Sequence, residues 1–520
     1  MFPWLSVLAA IPLVGAVVVL LLPNRPTVPS KQVAVGFSLL TLVVAVVTAT
    51  RFDTTSLTQF QLVERHTWIP QLGATYALGV DGMALALILM SVILTPVCLL
   101  AAWHDIPDEQ PQRQQNYLAL ILVLETFMIG VFAATDVLLF YVIFEAMLIP
   151  VYFLIGSFGT GARRQYAATK FLLFSLLGGL IMLVAVIGVY FQGPGGADGF
   201  LLDKLTGLTM DPTTENLLFL GFFFAFAVKA PMFPVHTWLP DAASEATPAT
   251  ATLLVGVLDK VGTFGMIRFC LQMFPNASQW ATPVVIVLAV ISVLYGAFVA
   301  IGQRDMMRLV AYTSVSHFGF IVLGIFALTT TAGSGSVLYM INHGFSTAAL
   351  FLVVGMLVRR RGSKDIDAYG GWQRVTPVLA GVFLVSGLSA LALPGLGSFL
   401  SEFLVLAGTF QRYQVAAAVA TAGIILAALY VLWMYKRTMT GARPDDVEGV
   451  GPSSGIFDLS LREKLVVAPL IAAFLVLGFY PKPTLDAINP AVKATLSHVG
   501  VSDPAPTAPT APVAGEGSTK

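Results

Sequence analysis

The chain has 520 residues, of which 57% are hydrophobic and only 11% charged, and its mean hydropathy is +0.84. A soluble core has no room for that much apolar surface, so the composition places the chain among membrane proteins. Its 28 basic residues balance 28 acidic ones, which leaves no electrostatic case for a nucleic-acid partner. Cys98 and Cys270 are the only cysteines, too few for a disulfide framework, a zinc site or an iron–sulfur cluster, so any redox chemistry must happen elsewhere.

Apolar runs recur along the chain, each long enough to cross the roughly 30 Å hydrocarbon layer as a helix. In order they predict fourteen spans, at 2–22, 31–50, 81–103, 117–135, 136–158, 167–191, 216–240, 248–272, 281–301, 307–328, 334–358, 375–410, 414–436 and 464–480. Lipid offers the backbone no hydrogen bonds, so the expected fold class is an all-α polytopic membrane protein. The first run lacks a basic flank and a small-residue cleavage site before Pro23, and reads as a retained helix. Asp136 stands where it caps the fifth helix, and Asp81 stands at the start of the third span. Residues 483–520 are expected to form a tail, whose Pro-, Ala- and Thr-rich end from 503 reads as disordered.

With fourteen spans, the loops after odd-numbered spans share one side. They collect eighteen lysines and arginines, from Arg25 to Lys464, against eight on the other side. The positive-inside rule then puts the odd loops in the cytoplasm and both termini outside.

Two spans carry helix breakers. The seventh contains Lys-Ala-Pro-Met-Phe-Pro-Val-His-Thr-Trp-Leu-Pro-Asp from Lys229, and the twelfth contains Leu-Ala-Leu-Pro-Gly-Leu-Gly from Leu391. Each proline removes an amide and frees a carbonyl one turn earlier. The two breaks lie five spans apart, an odd offset that reverses polarity, so the pattern suggests two inverted five-helix repeats. The resulting division is 1–110 for helices one to three, 111–275 and 276–440 for the repeats, 441–482 for a cytoplasmic loop and the last helix, and 483–520 for the tail.

Lys229, Lys260, Glu125, Glu145 and Glu402 sit well inside apolar runs, where a charge costs upward of about 2.5 kcal/mol. A structural ion pair or a snorkelling side chain explains any one of them. Five together, two of them lysines, suit a proton relay better. Desolvation favours a neutral lysine and a nearby carboxylate favours a charged one, so moving or neutralising the carboxylate toggles the lysine's proton. A Glu145–Lys229 pair makes such a switch, with Lys260 receiving the proton and Glu402 handing it on. Asp259 neighbours Lys260 in sequence, but adjacent helical residues point about 100° apart, so it is free to pair with another helix. His236, His317 and His343 lie in or beside spans and suit proton transfer near neutral pH. Ser314, Ser316, Asn342 and Ser346 give His317 and His343 a polar setting, whereas His236 serves equally to stabilise the broken helix. His66, His104 and His498 fall in loops or the tail.

The segment from Lys229 to Ala243, followed by Ser-Glu-Ala-Thr-Pro, resembles the signature of the antiporter-like subunits of respiratory complex I and their relatives in Mrp-type cation/proton antiporters. The resemblance extends to about residue 480. It implies fourteen helices with inverted repeats, a Glu145–Lys229 pair, a central Lys260, histidines at His317 and His343, and an exit residue at Glu402. It also implies a bacterial cytoplasmic membrane, no cofactor in this chain, and flavin, iron–sulfur clusters and quinone in partner subunits, chief among them the L and N antiporter-like chains. The glutamate in Ser-Glu-Phe-Leu at 401–404 differs from the lysine typical of the L and N chains, and no long C-terminal lateral helix of the L type follows. Asp259 departs from the family pattern. Three other readings stand beside this one: a monovalent cation/proton antiporter subunit of an Mrp-type or hydrogenase-type complex, an intramembrane enzyme using His236 and Asp241, and a passive membrane scaffold.

Overall fold

The computed structural model describes residues 2–25, 27–56, 58–444, 446–447 and 456–505. Helices α1 (Trp4–Leu21) and α2 (Ser30–Ala49) lead into a hairpin of β1 (Gln61–Ile69) and β2 (Ala74–Val80), antiparallel with Glu64 opposite Leu78 and Thr67 opposite Thr75. This hairpin corrects the all-α expectation. The segment 61–69 holds Val63, Thr67, Trp68 and Ile69, residues that favour strands, and its Pro-Gln-Leu-Gly turn puts Gly73 at φ +70°, a conformation costly for any residue with a Cβ.

Helix α3 (Gly82–Ala101) begins where the Asp81 carboxylate accepts from the Ala84 N–H at 2.8 Å. After α4 (Pro111–Ala133), Asp136 caps α5 (Val137–Ala146) through the Leu139 N–H at 2.9 Å, and also accepts from Thr75 N–H of β2 at 3.0 Å. The expected span 136–158 is thus α5 and α6 (Leu148–Gly156), offset at Met147. Next come α7 (Arg164–Gln192), the single turn α8 (Leu202–Leu205) and α9 (Pro212–Lys229).

Three of the expected spans are interrupted. The first is α9, irregular turns over 230–237, then α10 (Trp238–Glu245). The Trp238 indole N–H donates to Val228 O at 2.9 Å, meeting a carbonyl exposed where α9 ends. The second runs through α11 (Pro248–Leu253), a π-helical turn at Leu254–Leu258, α12 (Asp259–Gly265) and a second π-helical turn at Met266–Leu271. After α13 (Pro275–Ile301), α14 (Met306–Phe326) and α15 (Thr330–Arg361), the third is split into α16 (Pro377–Ala390) and α17 (Gly397–Phe410), with Ala392 at φ +60° and Gly395 at φ +94° between them.

The last elements are α18 (Gln414–Met439), α19 (Leu461–Phe479) and α20 (Lys482–Val499). Helix α20 replaces the tail expected from residue 483. It buries Ile488, Val492, Leu496 and Val499, spaced three and four apart as one helical stripe, against neighbours that include α3 and α15. The disorder expected of the chain's end lies mostly outside the described residues.

Among the described residues, ten helices are long and apolar enough to cross a membrane, or eleven if α19 and α20, bent by 71°, count as one. Large apolar side chains such as Leu173, Val184, Val284 and Ile425 are more than half exposed on outer helices, a cost in water and a gain in lipid. The chain is a multi-pass membrane protein. Helix α14 is buried at every residue but Arg308 and packs on α15.

Helix α12 meets α9 backbone to backbone, because a Cβ added at Gly262 would lie 2.6 Å from both Ala230 N and Phe226 O. Gly262→Ala is therefore expected to push the helices apart and cost about 1–3 kcal/mol, read as a lowered thermal midpoint of the purified protein. An unchanged midpoint would mean that the contact yields freely.

Candidate functional site: a buried line of lysine, histidine, tyrosine and glutamate

Lys260 stands between the two π-helical turns and is fully buried. Its ammonium donates to Val255 O at 2.6 Å and lies 2.7 Å from Nδ1 of His343 on α15. The π turn turns the Val255 carbonyl into a ligand for Nζ. A charged lysine has no acceptor, so His343 Nδ1 accepts and the proton of a neutral His343 sits on Nε2. The Phe318 ring lies 5.1 Å from Nζ and adds its face to the ammonium's surroundings.

The line continues through α14. The His343 and His317 rings are 5.3 Å apart. His317 Nδ1 is 2.5 Å from the Tyr339 hydroxyl, which donates to Glu402 Oε1 at 3.4 Å, while the Tyr430 hydroxyl is 3.3 Å from His317 Nε2. All these groups are buried. Asn342 ties α15 to the start of α17 by donating to Gly397 O at 2.7 Å and Ser401 Oγ at 3.3 Å, which fixes the helix that bears Glu402. The sequence pointed to Lys260, His317, His343 and Glu402, and the structure aligns all four. It missed Tyr339 and Tyr430. Tyr339 had a signal, since it precedes His343 by four residues and shares its face of α15.

The other half is unconnected. Lys229, the last residue of α9, is buried with no hydrogen-bond partner, and its Nζ lies 5.2 Å from the Phe144 ring centre and 5.4 Å from that of Phe171. Glu145 on α5 is near enough to attract it electrostatically, but its carboxylate oxygens are not within 4 Å of Lys229 Nζ. Room for Glu145 comes from α7, where a Cβ at Gly179 would sit 1.7 Å from Glu145 Oε1. Both carboxylate oxygens of Asp259 are buried without a partner.

Glu125 on α4 lies apart from the line, with Thr95 of α3 beside it and no hydrogen bond to either oxygen. His236 sits in the α9–α10 break, its ring 6.0 Å from Phe233 and 5.0 Å from Tyr295, with both nitrogens unpartnered. Asp241 is taken up by Lys170 at 2.6 Å and Arg308 at 2.5 Å, so the pairing needed for a His236–Asp241 enzyme is not formed. Asp81 holds the buried Arg268 at 2.8 Å, with Phe60 and Phe264 over the guanidinium. No group of three or more metal-ligating side chains occurs among the described residues.

Residues 134–427 match the family described as NADH:quinone oxidoreductase/Mrp antiporter, transmembrane, and residues 27–131 match the amino terminus of NADH-ubiquinone oxidoreductase chain 4. NADH-quinone oxidoreductase subunit M of Mycobacterium tuberculosis is 52% identical, with 97% of this chain and 96% of that protein aligned. The chain belongs to the NADH-quinone oxidoreductase subunit M family. The subunit M of Rhodobacter capsulatus is 39% identical over 94% of this chain and 95% of its own length. In the solved structure of respiratory complex I from Thermus thermophilus with bound NADH, one chain is 30% identical with a TM-score of 0.84, covering 96% of this chain and all of that one. A chain of the Mrp complex from Dietzia sp. DQ12-45-1b, 22% identical over 96% of this chain and 100% of its own, shares the fold with a TM-score of 0.83.

The Lys170–Asp241–Arg308 cluster pins α10 to α7 and α14 with three mostly buried side chains. Asp241→Ala leaves two cations facing one another and is expected to cost about 2 kcal/mol, seen as a lower thermal midpoint, with Asp241→Glu partly restoring it.

Proposed function

We propose that this chain moves protons across the membrane as the antiporter-like subunit of an NADH:quinone oxidoreductase, while other subunits carry the redox chemistry. The buried line from Lys260 to Glu402 supports this most directly, in a chain 52% identical to a curated subunit M. Its members each take up and release a proton by small changes in bond length and ring orientation, without a cofactor. Glu145 and Lys229 supply the switch. When Glu145 approaches Lys229 the ammonium is held, and when it withdraws the desolvated lysine gives its proton up toward Lys260. From Lys260 the proton passes to His343, to His317, through the Tyr339 hydroxyl, and to Glu402 as exit. Glu125 and His236 are assigned to the approaches to this route.

In this reading the membrane domain has fourteen spans, the ten long helices being completed by α19 with its bent partner α20 and by the three interrupted spans. The units 111–275 and 276–440 are inverted five-helix repeats, each with a broken helix, behind an N-terminal unit at 1–110. The chain lies in the bacterial cytoplasmic membrane with both termini outside. It assembles with other membrane subunits, including L and N chains, and flavin, iron–sulfur clusters and quinone belong to its partners. A cation/proton antiporter is the second reading, favoured by the fold shared with the Mrp chain. The Lys260 ammonium at the start of the line repels a metal cation, whereas lysine, histidine and tyrosine side chains can hand a proton to one another.

Glu145→Ala and Lys229→Ala are expected to lower NADH-driven proton pumping and coupled turnover severalfold in the assembled complex, measured in native membrane vesicles. Normal pumping by an assembled Glu145→Ala complex would remove that pair from the route. Tyr339→Phe takes away the one hydroxyl between His317 and Glu402 and is expected to slow pumping severalfold without loss of assembly. Sodium dependence of the pumping in the unaltered complex would favour the antiporter instead.

A further inference from the structure

We propose that Asp259 carries the proton from Lys229 to Lys260, an inference that rests on the proton-translocating function above. Gly262 lets α12 touch α9 at Phe226 and Ala230. Asp259 stands three residues before Gly262 and therefore shares this α9-facing side of α12. Ala230 directly follows Lys229. Lys260, turned about 100° around the helix from Asp259, reaches the other way to His343 at 2.7 Å. One helical turn thus offers a carboxyl group toward Lys229 and an ammonium toward the histidines, and Asp259 attracts both lysines electrostatically.

Asp259 also differs from the structural carboxylates of this protein. Asp81 is clamped by Arg268 and the Ala84 N–H, and Asp241 by Lys170 and Arg308. Asp259 is 0% exposed, and neither of its oxygens has a hydrogen-bond partner. A buried carboxyl left without partners costs stability, and this one attracts both Lys229 and Lys260. Unclamped, it is free to turn between them.

The transfer balances in two steps. An Nζ–H bond of the Lys229 ammonium breaks as an O–H bond forms on the Asp259 carboxylate, leaving a neutral Lys229. That O–H bond then breaks as an N–H bond forms on neutral Lys260, and Asp259 returns to carboxylate. One proton moves and no other species is consumed.

The test uses the assembled complex in native membrane vesicles, reading protons moved per NADH oxidised and normalising to the complex present. Asp259→Asn keeps the shape but not the exchangeable acid, Asp259→Leu also removes the desolvation cost and keeps the test open if the asparagine variant assembles poorly, and Asp259→Glu keeps the acid. Asparagine and leucine are expected to lower the ratio about threefold or more, and glutamate to retain most of it. Wild-type pumping by either the asparagine or the leucine variant overturns the role of Asp259, as does an equal loss in all three. Lys229→Ala separates the two levels: if it loses pumping while Asp259→Asn does not, only Asp259 is removed, and if neither changes pumping the translocation route itself fails.

Discussion

Holding the Lys260 ammonium out of water is the constraint around which the centre of this protein is arranged. Desolvating such a charge costs several kcal/mol, and the structure offsets it with a carbonyl from a π-helical turn, an imidazole nitrogen and an aromatic face. Each requirement shapes a different element. The carbonyl needs the helix around residue 256 to leave regular geometry. The imidazole needs α15 to cross within reach, and the aromatic face needs α14, buried around Phe318. Small residues follow from the same demand, since α12 sits where it does only because Gly262 lets two backbones touch.

The two halves of the interior solve the charge problem differently. From Lys260 to Glu402, side chains that can exchange protons are set in a line, hydrogen-bonded at Lys260–His343 and from His317 through Tyr339 to Glu402, with the two histidine rings 5.3 Å apart between them. Lys229, Glu145 and Asp259 instead act on one another through space without hydrogen bonds between them, and the rings of Phe144 and Phe171 lie beside Lys229. A through-space arrangement responds steeply to small displacements in a low-dielectric interior, whereas a bonded line conducts with little movement. A switch followed by a conductor is the functional order these two arrangements imply.

Much of this was legible in the sequence, because misplaced charges and paired helix breakers survive without coordinates. Lys229 and Glu402 were found by their cost in lipid, and the breaks by proline and glycine. The hairpin at 61–80 escaped because a search for apolar runs of span length passes over short strands. Helix α20 escaped because its apolar stripe, Ile488 to Val499, is diluted by polar residues and Pro490. Tyr339 escaped because a tyrosine in an apolar helix draws no attention until its hydroxyl is seen against a histidine. The contact between Glu145 and Lys229 was the reverse case, expected as a pair and found as a separated one, since spacing along a chain carries no information about which rotamers meet.

That separation has a meaning for energy conversion. A membrane under load pushes each returning proton with about 2.3 kcal/mol per 100 mV, and an unbroken wire from one face to the other would let that force short-circuit the pump. Lys229 has no hydrogen-bond partner and has the rings of Phe144 and Phe171 beside its ammonium, so the arrangement is interrupted at that lysine. An interrupted path is one that such a force does not drive backwards freely.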